Sequence, residues 1–410
     1  GIVVAHELPH LSHLAVRARQ AGVVLATCAE TDCFSEFAAL AGRTVRLRAV
    51  AESVELAPAA PTDGGAKPRA ARPVTPCVLK PEAPCIPLVH ATVETAGGKA
   101  SGLRKLAELA LRNDAGFGVP PTLVVPFGVL EAGLEEIAGL KAGYHQRIQE
   151  LAAAGTAEAA SRLAQELRAL VQQAPVPGDI LERAASEFGG AARLMVRSSS
   201  NAEDLPGLAG AGLYESVANV AVAELPAAIR RVWASLWSRA AVLSRQAAAI
   251  PPDQAHMAVV LQPLLKPDLS FVLHTVHPMT LNERELYVEV TVGLGETLVS
   301  GAVRGCPYRL VCDKASGEHV MRAFASFSRA QYPAPAGGFA SRLLDYSRVA
   351  FSYDGETRRR FARQVTAISR VLESAFGTAL DVEGAVAEGQ LWLLQARPQP
   401  GIGRGEDAHE

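Results

Sequence analysis

The chain has 410 residues, 49% apolar and 20% charged, which is enough to bury more than one core and too apolar for a disordered segment. With 40 Lys and Arg against 42 Asp and Glu, the formal charge is −2, which argues against a generic binder of nucleic acid. No apolar run approaches the roughly 20 residues that span a bilayer, and 6 Cys without a CxxC pair suggest neither a disulfide framework nor a zinc site.

Gly1 leads straight into a strand-like stretch, residues 1–5, that reads as buried. The sequence therefore reads as a piece of a longer protein that starts inside a domain. A helix is expected over 12–21, ending at Gly22, with strands over 23–27, 44–48 and 52–56. Residues 57–87 are rich in Pro, Ala and Gly and read as an extended linker. From 88 to 400 the pattern is that of a mixed α/β domain. It opens with a helix over 102–112, a strand over 123–126 and a helical hairpin over 130–174, whose apolar residues recur at 3–4 spacing. A strand over 194–198 runs into a Gly-rich loop, and a helix over 225–249 stops before Pro251 and Pro252. Strands follow over 257–263, 270–276, 286–291 and 309–311. A long helix over 357–376 is closed by Gly377. Strands over 381–387 and 390–395 meet at Glu388-Gly389, a hairpin signal. Residues 401–410 read as a frayed tail.

Two regions carry chemistry. In Glu7-Leu-Pro-His-Leu-Ser-His13, Ser12 is a natural N-cap that puts His13 in the first helical turn, where free N–H groups favour an anion. A neutral imidazole there can attack phosphorus; a surface His beside the helical Arg17 and Arg19 is the plainer alternative. His10 reads as a turn residue. The second region is a polyphosphate pocket in four pieces. Gly97-Gly98-Lys99 precedes a helix, without the spacing of a Walker loop. Arg197 leaves a strand into a Ser- and Gly-rich loop that contains Glu203, Asp204, Gly207 and Gly210, suited to a mobile lid or simply to a flexible surface. Gly293-Leu-Gly295-Glu296 is a short Gly turn. On the last two strands, Asp381 and Glu383 share a face, and Gln395 and Arg397 can lie opposite them. Carboxylate and amide oxygens suit Mg²⁺ on phosphates, and a cross-strand salt bridge is the competing account.

Together these pieces resemble the dikinase family of pyruvate, phosphate dikinase, phosphoenolpyruvate synthase and the glucan, water dikinases. Ser12-His13 with Ala18-Arg19 is similar to the family's phosphohistidine motif. Gly98-Lys99, Val196-Arg197-Ser-Ser, Ala202-Glu-Asp-Leu-Pro206, Gly293-Leu-Gly-Glu296 and Asp381-Val-Glu383 through Gln395-Ala-Arg-Pro398 resemble its nucleotide domain. The order, phosphohistidine before nucleotide domain, is that of the glucan enzymes. Glu7-Leu-Pro-His-Leu-Ser-His13-Leu, with Val24 in place of the first Cys of a Cys-x-x-x-Cys motif ending at Cys28, resembles the branch acting on phosphorylated glucan.

The resemblance implies an α/β chain: a partial swivelling phosphohistidine domain (1–56), then a two-lobed ATP-grasp-type domain (88–400). It implies transfer of the β-phosphate of ATP through His13 to a phosphorylated α-glucan at a starch granule surface in the plastid, releasing AMP and orthophosphate, with no nucleic-acid or membrane partner. Lys99, Arg197 and Arg397 would hold phosphates and Glu383 with Gln395 would hold Mg²⁺. Glu296 and Asp381 are further nucleotide contacts, and Gln262 lies on the adenine side. Two rivals follow: a glucan, water dikinase acting on unphosphorylated glucan, and a non-catalytic ATP-binding or phosphocarrier fragment.

Overall fold

The computed structural model describes residues 1–28, 30–50, 53–60, 74–112, 116–203 and 212–401. The chain is mixed α/β, as the sequence pattern indicates. Its first 60 residues carry β1 (Ile2–Val4), α1 (His13–Gln20), β2 (Leu25–Thr27), α2 (Thr31–Ala38), β3 (Val45–Ala49) and β4 (Val54–Pro58). β1 and β2 pair in parallel, and β3 and β4 form an antiparallel hairpin. β1 is half-buried, not buried as expected.

Two antiparallel sheets build the rest. The first holds β5 (Ile86–Pro87), β6 (Leu123–Val125), β7 (Arg193–Ser200), β8 (Val217–Ala221) and β9 (Met257–Pro263), in the order β5-β6-β9-β7-β8. The expected linker therefore continues at its start as β4 and at its end as β5, while residues 61–73 lie outside the described residues. Helix α3 (Val93–Ala110) packs on β7 and β9. Helices α4 (Val129–Glu136), α5 (Leu140–Ala152), α6 (Ala157–Val171), α7 (Gly178–Phe188), α8 (Leu225–Ser235) and α9 (Arg239–Ala247) bury an apolar core with this sheet, centred on Leu167, Ile229, Trp233 and Trp237.

The second sheet has the order β13-β12-β11-β10-β16-β17. Its strands are β10 (Leu269–His274), β11 (Glu285–Val292), β12 (Tyr308–Asp313), β13 (His319–Ala323), β16 (Leu380–Ala387) and β17 (Gln390–Pro398). The short helix α10 (Glu296–Ser300) follows β11, and β14 (Arg329–Pro333) pairs with β15 (Phe339–Leu343). After α11 (Ala350–Tyr353), α12 (Gly355–Phe376) lays Phe361, Val365, Ile368 and Leu372 on the sheet. That 4-3-4 spacing is one helical stripe. Asp354 caps its first turn, and Gly377, at φ 69°, ends it in the left-handed region.

Several boundaries differ from expectation for local reasons. The helical hairpin is three helices, broken at Gly139 (φ 79°) and at the Thr156 cap. The helix over 225–249 is two, because Ser238 caps the amide of Ala241 and starts α9. α2, α7, β8 and β13–β15 were not expected; β13 and β15 carry exposed residues and lack the apolar run that marks a buried strand. The largest shift is at α3. Gly97-Gly98-Lys99 is not a loop before the helix but part of it, since the Thr92 and Thr95 capping box starts the helix at Val93, nine residues earlier than its expected start at Gly102.

α3 is kinked at Gly97 (φ 80°, ψ 175°), a conformation essentially confined to glycine. The end of β7 crosses there. Ser199 donates its hydroxyl to Ala96 O (2.5 Å) and accepts the Ala100 amide (3.1 Å), bridging the broken turn. A Cβ at position 97 would stand 3.0 Å from the Ser200 carbonyl. Gly97→Ala should therefore cost about 1–3 kcal/mol. Gly143→Ala, in helical backbone with open space around it, should be neutral or stabilise by about 0.4–1 kcal/mol. Urea unfolding of both variants checks the pair, and equal stabilities would contradict the kink.

Candidate active site

The kink aims Lys99 across the cleft between the sheets, where its Nζ lies 2.6 Å from Glu203 Oε1. Glu203 follows β7 by three residues and is 2% exposed; the lid loop expected after it, including Asp204, Gly207 and Gly210, lies outside the described residues. Earlier on β7, Arg197 donates to Leu394 O (2.9 Å), Glu383 Oε2 (2.9 Å) and Gln395 Oε1 (3.1 Å).

The hairpin of β16 and β17 supplies the opposite wall. Its turn, Glu388-Gly389, has positive φ at both residues (53° and 77°), as a two-residue hairpin turn of type I′ requires. Asp381 pairs with Arg397 and Glu383 with Gln395, the alignment anticipated from alternation. Reaching it takes a bulge between Glu383 and Gly384, which lets Leu394 slip out of register. Leu394 then turns its carbonyl to Arg197.

One cavity gathers His13, Lys99, Arg197, Gln262, Glu296, Glu383, Gln395 and Arg397. Asp381 is the exception among the expected contacts. It lies behind Arg397, whose Nε (3.0 Å) and Nη2 (2.8 Å) both donate to Oδ2, while His274 Nε2 stands 3.6 Å from Oδ1. Burial would raise the Asp381 carboxyl, but Arg397 and His274 outweigh it and hold it well below the usual range. Asp381 thus orients Arg397, and the cross-strand salt bridge weighed against a pocket coexists with one. Gln262 is 2% exposed, and its amide donates to Thr122 Oγ1 (3.0 Å); it lines the cavity with Met195, Leu264, Leu265 and Leu294, an apolar slot beside the charges. Glu296, at the start of α10, has its pKa raised by burial and then by the charge of Glu383.

Ser12 is extended (φ −62°, ψ 154°) and fully buried, and its hydroxyl accepts the Ala15 amide (3.5 Å). His13 is therefore the first residue of α1, and it enters the cavity against Gly212, where a Cβ would stand 2.5 Å from Nδ1. Burial, above all, lowers the His13 pKa to about 4; Glu383 opposes the shift, and Arg397 and Lys99 add to it. Arg19, not Arg17, folds back, donating to His10 O (3.0 Å). His10 stays in the turn, with Nδ1 2.9 Å from the Tyr287 hydroxyl. Cys28 is a free thiol, and the side chain of Cys33 lies outside the described residues.

The donor set can be tested against a divalent cation. Among the described residues no group of three His, Cys, Asp or Glu side chains gathers as a metal site. Mg²⁺ asks for less: one or two carboxylates with phosphate oxygens and water. Glu383, Gln395 and Glu296 offer hard oxygens to one cavity and fit that demand, provided Arg197 releases the two oxygens it now holds. Sequence reasoning left out Thr122 and Glu289 as functional residues. Only Glu289 had a visible signal, an acidic residue inside the apolar run Tyr287-Val-Glu-Val-Thr-Val292.

The family model for the pyruvate phosphate dikinase AMP/ATP-binding domain matches residues 93–410. The chain belongs to that family. A second model, the phosphohistidine-like domain of alpha-glucan water dikinase, matches residues 1–63. Among curated relatives, rifampicin phosphotransferase of Bacillus cereus is 29% identical over 308 residues, 74% of this chain and 34% of its own length. Chloroplastic alpha-glucan water dikinase of Solanum tuberosum is 26% identical over 423 residues, 95% of this chain and 27% of its own. A probable phosphoenolpyruvate synthase of Methanothermobacter thermautotrophicus is 26% identical over 329 residues, 78% of this chain and 46% of its own. The chain spans about a third of the length of the rifampicin enzyme and about a quarter of the potato enzyme.

The pocket makes a prediction of its own. A histidine with its pKa lowered by burial stays neutral until the pH falls well below 6.5, so the His13 imidazole of the ligand-free protein should titrate near pH 4 in a 15N NMR experiment. A midpoint near 6.5 would place the ring in water.

Proposed function

We propose that this chain carries out the first half of a dikinase reaction, moving the β-phosphate of ATP onto His13 for delivery to a phosphorylated α-glucan such as starch. One observation carries the reading: a half-buried imidazole, kept neutral chiefly by desolvation, stands in the same cavity as Lys99, Arg197 and Arg397. Three cations and an adjacent apolar slot suit a nucleoside polyphosphate, and a neutral imidazole suits attack on phosphorus.

The step balances as follows. An imidazole nitrogen of His13 bonds to the β-phosphorus, and the P–O bond to the α-phosphate breaks with its electron pair going to AMP. The γ-phosphoryl group is taken by water as orthophosphate. Lys99 and Arg197 would hold the phosphate chain, and Arg397, braced by Asp381, would face the charge that develops on it. Glu383 and Gln395 would hold Mg²⁺, with Glu296 beside them; bound there, the ion would neutralise phosphate charge. The apolar slot with Gln262 would take the base.

The acceptor rests on likeness. The phosphohistidine-like match and the near-complete coverage by alpha-glucan water dikinase support a glucan over the antibiotic that the rifampicin relatives are named for. Glu7 to Leu14 and Val24 favour a glucan already phosphorylated. The plant relatives are chloroplastic, which supports a plastid setting.

With β-labelled ATP the chain should form an acid-labile phosphoenzyme, and with γ-labelled ATP it should release labelled orthophosphate and keep none. His13→Ala should abolish the label and His10→Ala should retain it. Label surviving in the His13 variant sinks the assignment. A full-length protein given phosphorylated and native glucan decides the acceptor, and preference for native glucan would favour the other branch.

Glu383→Gln should slow Mg²⁺-dependent phosphoenzyme formation about ten- to hundredfold, since a charged contact is commonly worth about 1.5–3 kcal/mol. Circular dichroism should show the fold retained. An unchanged rate would remove Glu383 from the metal set.

A further inference from the structure

Residues 6–11 carry hydrogen bonds from the first 60 residues to the body of the protein. His6 Nε2 lies 3.3 Å from Gly301 O. Glu7 pairs with Arg309, which also donates to Leu8 O (3.2 Å). The amides of His10 and Leu11 donate to the two carboxylate oxygens of Glu289, at 2.8 and 2.9 Å. Leu11 then enters a small apolar cluster with Val272, Tyr287, Leu298 and Val311. Two residues later the His13 ring reaches the cavity.

Glu289 is fully buried on β11. From the body it receives Arg309 Nε (3.0 Å) and the Tyr287 hydroxyl (3.4 Å); its other two donors arrive on the loop. A buried carboxylate is costly unless its lone pairs are filled, so Glu289 is fully satisfied only while the loop is docked. When the loop leaves, water reaches the carboxylate and replaces the lost donors, so the exchange of partners is small in net free energy. A large apolar seam offers no such exchange. The loop contact sets a few apolar groups, Leu11 in its cluster, Leu8 against Gly301 and the His10 ring stacked on Tyr287, among charge-assisted bonds, the composition of a contact that can break and re-form.

We infer that Glu289 is the docking latch of the histidine, a positioning residue that holds the His10 and Leu11 amides so that His13 lies at the nucleotide, and releases them when the histidine carries its phosphoryl group away. The inference rests on the phosphotransfer reading above. It assigns Glu289 no contact with substrate: it acts through the loop, and it does not line the cavity.

Two variants test it from opposite sides. Glu289→Gln removes the charge from the body, and Leu11→Ala removes an apolar group from the loop while leaving Glu289 and Arg309 in place. In the wild-type chain the His10 and Leu11 amides should be protected from hydrogen exchange. In both variants that protection should fall, and the His13 midpoint should rise from about 4 toward 6.5. Phosphoenzyme formation at saturating ATP should slow by about a hundredfold, the scale expected for a misplaced reactant. ATP affinity by calorimetry should stay within about twofold, since neither Glu289 nor Leu11 lines the cavity. Variants that keep the two amides protected and His13 titrating near 4 would overturn the latch, as would a loss of ATP affinity matching the loss of rate. If the wild-type chain forms no phosphoenzyme, the phosphotransfer reading fails instead, while exchange and titration still decide whether Glu289 holds the loop.

Discussion

The register of β16 against β17 is the constraint on which the cavity depends. Counting back from the two-residue turn, an unbroken ladder would put Glu383 opposite Leu394, and Gln395 and Arg397 would then leave the face they share with the carboxylates. The bulge at Leu394 corrects the count by one. Gly384 makes the correction possible, since a Cβ there would stand 2.2 Å from the Phe271 ring and 2.8 Å from Trp392 O. The same irregularity frees the Leu394 carbonyl for Arg197, which ties β7 of one sheet to β17 of the other. α3 lies across this junction, and a Cβ on Gly102 would meet Ala396 O at 2.7 Å. Backbone approach at two glycines thus brings three elements close enough for Lys99, Arg197 and Arg397 to face one space.

How much of this was legible in the sequence depended on how local its cause is. The hairpin, the helix α12 and its Gly377 terminus follow from alternation, spacing and turn chemistry within a few residues, and they were read correctly. So was the Ser12 cap of α1. The kinked start of α3 was not, because two glycines in a row ordinarily argue against helix. Only the crossing of β7, with Ser199 bonded to both sides of the break, explains why the helix continues. Asp381 was placed on the right face and opposite Arg397, but expected at the nucleotide, since alternation fixes a face and not which side chain reaches the cavity. Glu289 depends on partners about 280 residues away in the chain, beyond any window of pattern.

His13, Asp381 and Glu289 follow one rule: each leaves water either neutral or paired. His13 is kept neutral chiefly by burial; Asp381 remains charged because Arg397 and His274 overcome the same effect. Glu289 is pushed upward by burial, against which the two loop amides and Arg309 act.

The same rule shapes the cavity before any ligand arrives. Its cations already hold anions: Lys99 has Glu203, Arg197 has Glu383 and Arg397 has Asp381. The cleft is therefore close to charge-balanced, and occupying it is an exchange of partners instead of a simple attraction. A bare polyanion that drew the cations to itself would leave carboxylates uncompensated in a place poor in water. A guest carrying both signs, anionic groups with a cation of its own, could satisfy both halves of each broken pair. Breaking a pair without replacing both partners is costly, so charge balance as well as shape sets what the cleft can hold.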